Sequence, residues 1–198
     1  MLIGRSTIQP AANTTTEKIV QNKVKKTKPI PKKNSIPEEL NTPKLKELYI
    51  KASKGDPEAQ CLLGDVYYDG EEVEQNAPRS VSWYKKAANQ NHAEAQYCLG
   101  WHYLKGLGIR RDDDEAFKWH KKAAEQGHVK SQYLVAFAYE VGTDFGASLP
   151  KNEKEAVKWY RKAAEQGHAD AMICLARHFM DGEGIEKSYE EAERWLLK

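Results

Sequence analysis

Apolar and small residues return along this chain at helical spacing, in short bursts, and the bursts repeat. Ala156–Ala171 reads AVKWYRKAAEQGHADA, Ala116–Ser131 reads AFKWHKKAAEQGHVKS, and Val81–Ala95 is a looser copy, VSWYKKAANQNHAEA. A further copy opens at Ala192 as AERWLLK. The copies stand 36, 36 and 40 residues apart, and the four extra residues fall in the loop between Gly142 and Lys151. A period in this range marks stacked helical units, none of which can bury both its faces alone.

Each unit predicts two helices. The first carries a small residue at its centre (Gly64, Gly100, Ala136, Ala176), then an aromatic (Tyr67, Tyr103, Tyr139, Phe179), and ends on a glycine (Gly70, Gly106, Gly142, Gly182). Small residues let two helix backbones approach, and glycine supplies the left-handed residue that ends a helix. Asp56-Pro57 reads as a cap followed by a first helical residue. The second helices start at Asn76, Asp112, Asn152 and Ser188. Glu115, Glu155 and Glu191 follow three residues later in a capping-box pattern, which the first unit lacks because Arg79 stands there. Small columns (Ser80, Ala116, Ala156, Ala192 and Ala52, Ala88, Ala124, Ala164) flank a tryptophan column, Trp83, Trp119, Trp159 and Trp195. The tryptophans are read as core, each contributing on the order of 2–3 kcal/mol relative to exposure. Thr42-Pro43, with Leu45, Leu48 and Ala52, predicts a capping helix over 42–53. Four units then follow at 54–87, 88–123, 124–163 and 164–198, and residues 1–41 form a basic Lys/Pro/Thr-rich tail without helical period.

AEAQYCLGWHYLKGLGIRRDDDEAFKWHKKAAEQGH (93–128) and ADAMICLARHFMDGEGIEKSYEEAERWLLK (169–198) carry a resemblance to Sel1-like repeats, a branch of the tetratricopeptide-type helical repeats. The resemblance spans residues 52–198. It implies an all-α, right-handed solenoid whose first helices line a concave groove. It also implies an adaptor or scaffold role, since such proteins hold other proteins together in degradation complexes, cell-wall synthesis or as secreted bacterial effectors. A cysteine-rich branch has been linked to β-lactam hydrolysis, but it carries two cysteines per repeat, and this chain has Cys61, Cys98 and Cys174 only.

Charge divides the chain. Residues 1–37 carry eight bases and one acid, whereas the remainder carries 23 bases and 28 acids, so a +7 tail precedes a −5 body. The tail offers a docking segment for an anionic surface; without interleaved aromatics it does not point to a nucleic-acid reader. No run of 18 apolar residues predicts a membrane span, and no cleavable leader is read at the start. Three widely spaced cysteines suit a reducing, cytoplasmic setting, with a secreted effector lacking a cleaved signal as the alternative.

No catalytic, cofactor or metal motif is read. His92, His128 and His168 share one repeat position and stand too far apart to hold one ion, and no HExxH or CxxC occurs. Cys98 and His102 lie four apart on one helix, and a small Cys/His hydrolase is kept as the alternative to a binding protein. Placed on the pattern of the resemblance, the groove-facing set is Asp65, Tyr68 and Asp69, then Tyr97, Trp101, Leu104 and Lys105, then Tyr133, Phe137 and Glu140, then Ile173, Arg177 and Met180. Two readings stay open for Tyr97/Trp101 and Tyr133/Phe137: an aromatic floor that binds a protein or peptide, or side chains that pack one helix on the next. The last helix is not followed by a polar cap, which points either to self-association at that end or to a longer stack.

Overall fold

In the computed structural model the described residues are 36–142 and 148–198. Among them are nine α-helices and no strand: α1 (Pro43–Ser53), α2 (Pro57–Asp69), α3 (Ala77–Asn89), α4 (Ala93–Lys105), α5 (Asp113–Glu125), α6 (Val129–Val141), α7 (Glu153–Glu165), α8 (Ala169–Asp181) and α9 (Tyr189–Leu196). Each helix packs chiefly on the one before it and the one after it. Residues 1–35 of the expected tail, and 143–147 of the loop with the extra residues, lie outside the described residues. The fold takes in the chain upstream of the boundary expected at Thr42. Leu40 is fully buried beside Leu45 and Leu63, and Glu39 accepts the Tyr67 hydroxyl and pairs with Arg79.

Helix starts follow the caps. Thr42, Asp56, Asn76, Asp112, Asn152 and Ser188 each accept a backbone N–H three residues on. His92, His128 and His168 do the same through Nδ1, so the histidine column is a row of N-caps. The reciprocal half of the capping box is not made. Asp112, Asn152 and Ser188 donate their own N–H to the carbonyls of Tyr103, Tyr139 and Phe179. With that donor taken, Glu115, Glu155 and Glu191 turn forward to Lys118, Lys158 and Arg194. The same backbone bond forms across the four-residue insertion, so Asn152 starts its helix in the frame of the other units.

Two devices hold unit on unit. The first is apolar: the tryptophan column is buried, and each ring lies under the ammonium three residues on (Lys86, Lys122, Lys162, Lys198) at 3.4–4.1 Å. Such contacts contribute on the order of 0.5–1 kcal/mol each. The second is a polar ladder. Gln60, Gln96 and Gln132 are buried, and each donates Nε2 to the carbonyl of Ala52, Ala88 or Ala124 at 2.9–3.3 Å. Each then accepts Nε2 of Gln90, Gln126 or Gln166 at 2.7–2.8 Å. Buried amides left unpaired cost several kcal/mol, so the ladder favours one register of stacking.

The loops after α4 and α8 press on the preceding unit. A Cβ on Gly108, at φ +69°, would stand 2.3 Å from the Ala77 carbonyl carbon, and one on Gly184 would stand 2.5 Å from Glu153 backbone. His102 donates Nδ1–H to the Leu107 carbonyl at 2.8 Å, and His178 bonds the Glu183 carbonyl in the same way at 2.9 Å, fixing these loops from below. Gly127 also has positive φ, +93°, but nothing lies within 4 Å of its added Cβ. Urea unfolding should therefore show Gly127→Ala costing about 1 kcal/mol, the conformational cost alone. Gly108→Ala should cost several-fold more, because backbone must move; equal midpoints for the two would contradict the close approach.

Candidate functional site

The thirteen residues read as groove-facing all lie on α2, α4, α6 and α8, and the structure divides them. A cavity of about 310 Å³ between α2 and α4 gathers Asp65, Tyr68, Asp69, Tyr97 and Trp101 with Tyr84, Cys98 and His102. Lys105 lies outside its wall, with Nζ 4.7 Å from the Trp101 ring centre. Leu104 and Met180 are half-buried, Phe137 is at the edge of exposure, and Ile173 is 58% exposed. Tyr133 stacks on the capping ring of His168 at 4.7 Å, and Tyr97 tilts over His128 at 4.8 Å, so both tyrosines also pack unit on unit. Glu140 and Arg177 pair with each other, and Glu140 also accepts the Tyr160 hydroxyl at 2.5 Å.

Burial sets the chemistry of the cavity. Tyr84 is buried and donates to Asp65 Oδ1 at 2.6 Å. Burial raises the Asp65 carboxyl above its ordinary value, with Asp69, Glu94 and Glu58 adding to the rise and the Tyr84 hydrogen bond opposing it. His102 is buried between Tyr68 and Tyr84, at 5.2 and 5.3 Å, and burial lowers its pKa. Its Nδ1 is committed to Leu107, and among the described residues no hydrogen bond joins it to Cys98. Cys61 is pushed up by the neighbouring Cys98 thiol and by burial, the reverse of an activated thiol.

Two features escape a reading of the sequence alone. His120 occupies the column of Tyr84 and Tyr160 beneath Tyr97, with ring centres 5.6 Å apart; it is fully buried, and among the described residues neither of its ring nitrogens has a hydrogen-bond partner. Trp101 stands where the first unit has Asp65, so the carboxylate that would meet a ring at 120 is missing. Glu153, His178 and Glu183 offer atoms within 4.8 Å of one another. The His178 Nδ1 bond to a loop carbonyl repeats at His102, where Ala77 and Leu107 stand in place of the two acids, so that histidine serves the loop.

The model of the Sel1 repeat family matches residues 57–92, 93–128, 129–168 and 169–198. The chain belongs to the Sel1 repeat family. Its solved relatives include a Sel1 repeat protein from Oxalobacter formigenes, 36% identical over 81% of this chain and 64% of that one, with a TM-score of 0.73. Another is c5321, a protective antigen of uropathogenic Escherichia coli strains, 32% identical over 75% of this chain and 31% of the antigen, with a TM-score of 0.70. Cysteine rich protein B of Helicobacter pylori, 24% identical over 66% of this chain and 96% of its own, shares the fold at a TM-score of 0.50. The chain thus spans about a third of the antigen and just under two thirds of the Oxalobacter protein. No curated relative matches it by sequence. Sel1 repeat proteins generally mediate protein–protein interaction and are typically noncatalytic; this chain is an all-α helical repeat solenoid.

His120 makes the floor of this face acid-sensitive. Burial first, and the nearby His128 second, push its pKa from 6.5 down to about 4. Below pH 6.5 the unfolded chain binds a proton that the folded chain refuses, so stability falls as pH drops from 6.5 to 4. The full window corresponds to about 3 kcal/mol. Denaturant midpoints at pH 7 and 4.5 should diverge in the wild-type chain and draw together in His120→Phe, which keeps a ring and removes both unpaired nitrogens. An unchanged gap in the variant would assign the acid sensitivity elsewhere.

Proposed function

We propose that this chain is a noncatalytic adaptor that holds a protein or peptide partner on the α2/α4/α6/α8 face, seated in the α2–α4 cavity. One observation carries the reading. Tyr68, Tyr97 and Trp101, with Asp65 and Asp69, wall a cavity of about 310 Å³ while lying outside the tryptophan, glutamine and small-residue columns that build each unit. Rigid aromatics with polar handles are the side chains most often found at binding hot spots. The cavity sits on helices, which fix side chains more firmly than loops. The role matches that of Sel1 repeat proteins in general. His102, the residue that a Cys98-centred hydrolase would need as its base, is buried and its Nδ1 is spent on a loop carbonyl, which favours binding over catalysis.

Trp101→Ala and Trp119→Ala test this together. Trp119 is a buried core ring, and its loss should cost about 3–5 kcal/mol in urea unfolding. Trp101 is half-buried, and its loss should cost about 1–2 kcal/mol, well short of the Trp119 loss, while abolishing photo-crosslinking of a partner to a probe placed at Leu104. A Trp101→Ala chain as destabilised as Trp119→Ala would make the cavity wall a packing element, and undiminished crosslinking in a folded Trp101→Ala chain would place the partner on another surface.

A further inference from the structure

Given a partner seated on this face, the reading on which this inference rests, the chemistry of that partner can be specified. The solenoid contains its own template. In the C-terminal half a tyrosine from a second helix, Tyr160, donates to a carboxylate on the α6/α8 face, Glu140, and Arg177 of the next unit closes the group with its guanidinium. In the N-terminal half a tyrosine–carboxylate pair forms again, Tyr84 donating to Asp65 at 2.6 Å, but its acid comes from the column of Trp101, Phe137 and Arg177, while the column of Glu140 holds Tyr68. The third part does not recur. The repeat position of Arg177 is filled in the next unit by Trp101, whose ring lines the cavity instead of supplying a charge. Among the described residues no Lys or Arg pairs with Asp65 or Asp69, although two acids nearby are matched, Glu72 by Lys44 at 3.5 Å and Glu47 by Lys51 at 2.9 Å. Lys105 and Lys130 stand over the Trp101 and Tyr97 rings at 4.7 and 5.8 Å without lining the cavity, so the α2–α4 cavity is an aromatic-walled space whose two carboxylates lack a paired cation among the described residues.

We propose that this cavity takes an Arg or Lys side chain of a peptide partner, held by Asp65 and Asp69 and laid against the rings of Tyr68, Tyr97 and Trp101. A cation over aromatic faces gains from the ring quadrupole as well as from the carboxylates, and a guanidinium suits both. Burial is the chief cause of the raised Asp65 carboxyl, and the nearby Asp69, Glu94 and Glu58 add to the rise.

A second cavity, about 360 Å³, lies across α2 from the first and shares Asp65 and Asp69 with it; Leu45, Leu48, Leu62 and Val66 form its apolar wall. Leu62 is 45% exposed there. Packed helices stand about 8–10 Å apart and an extended chain advances about 3.3 Å per residue. One extended peptide thus reaches both cavities with an apolar residue about three positions from its basic one. The partner is a peptide of that pattern, in either chain direction.

The test is a phage-displayed random dodecapeptide library panned on the full chain at physiological salt. Three variants run in parallel: Asp65→Asn/Asp69→Asn, Trp101→Ala, and Glu190→Gln/Glu193→Gln, which removes the same charge from α9. Enriched peptides should carry Arg or Lys three positions from an apolar residue. Their synthetic forms should bind roughly tenfold or more weakly to the Asp65/Asp69 variant and to Trp101→Ala, and unchanged to the α9 variant. Replacing the basic residue by citrulline or acetyl-lysine should give the same loss. Basic peptides weakened equally by the α9 variant would reduce the effect to net charge and overturn the proposal. Peptides without a basic residue, lost with Trp101→Ala but not with the Asp65/Asp69 variant, would overturn the cation while leaving the binding face standing. No peptide enriched on the wild-type chain over Trp101→Ala would overturn both.

Discussion

A helix of 13 residues is marginal in water by itself, and a pair of them still exposes one apolar face. Every other feature here follows from the need of each pair for a neighbour. Burial alone would allow the units to slide, because alanine-rich faces offer many near-equivalent fits. The glutamine ladder removes that freedom: Gln96 must find the Ala88 carbonyl on one side and Gln126 on the other, and a shifted stack would strand all three groups. Apolar columns thus supply the cohesion and buried amides supply the register. The four-residue insertion before α7 shows the division at work. The added residues are left to the loop, while the Asn152 to Tyr139 bond and the Gln166 to Gln132 bond keep the stack in frame.

The columns that vary are informative for the same reason. A repeat in which every unit were identical would present one surface four times over. Tyr84, His120 and Tyr160 occupy one position, yet two of them bond carboxylates and the middle one makes no hydrogen bond among the described residues. His102 and His178 occur in the two units whose loops read Gly-x-Gly, and Val66 and Ala138 in the two whose loops do not, so the ring and the loop form one device. Asp65, Tyr68 and Trp101 at the α2–α4 cavity are likewise departures from the repeat, whereas Tyr97 recurs as Tyr133 and Asp69 as Asp181.

Much of the fold was legible because repetition amplifies weak local signals. A lone Asn or Ser is a poor helix marker, but Asn76, Asp112, Asn152 and Ser188 at one column are not, and all four cap. The capping box was legible only by half, since a side-chain pattern does not reveal that the cap's own N–H is claimed by a carbonyl nine or more residues back. The histidine caps were visible as a column but not as caps, because histidine is an unusual cap and its role rests on Nδ1 geometry. The start of the fold was misplaced by a few residues. Leu40 follows three prolines and a basic run, and only its burial against Leu45 and Leu63 shows that it belongs to the core.

The site was less legible than the fold for a physical reason. Sequence columns say which helix face a residue occupies, but not whether a neighbour from the next unit has already used it. Glu140 and Arg177 look like free charges when read one unit at a time, and the structure joins them across two units. Asp65 looks the same in the sequence, and here the residue across the junction is Trp101, which cannot neutralise it. In a stack of near-copies, the groups that recur with their partners belong to the scaffold. The groups left without them are where an outside molecule has something to add, and between α2 and α4 Asp65 and Asp69 are left without a paired cation among the described residues.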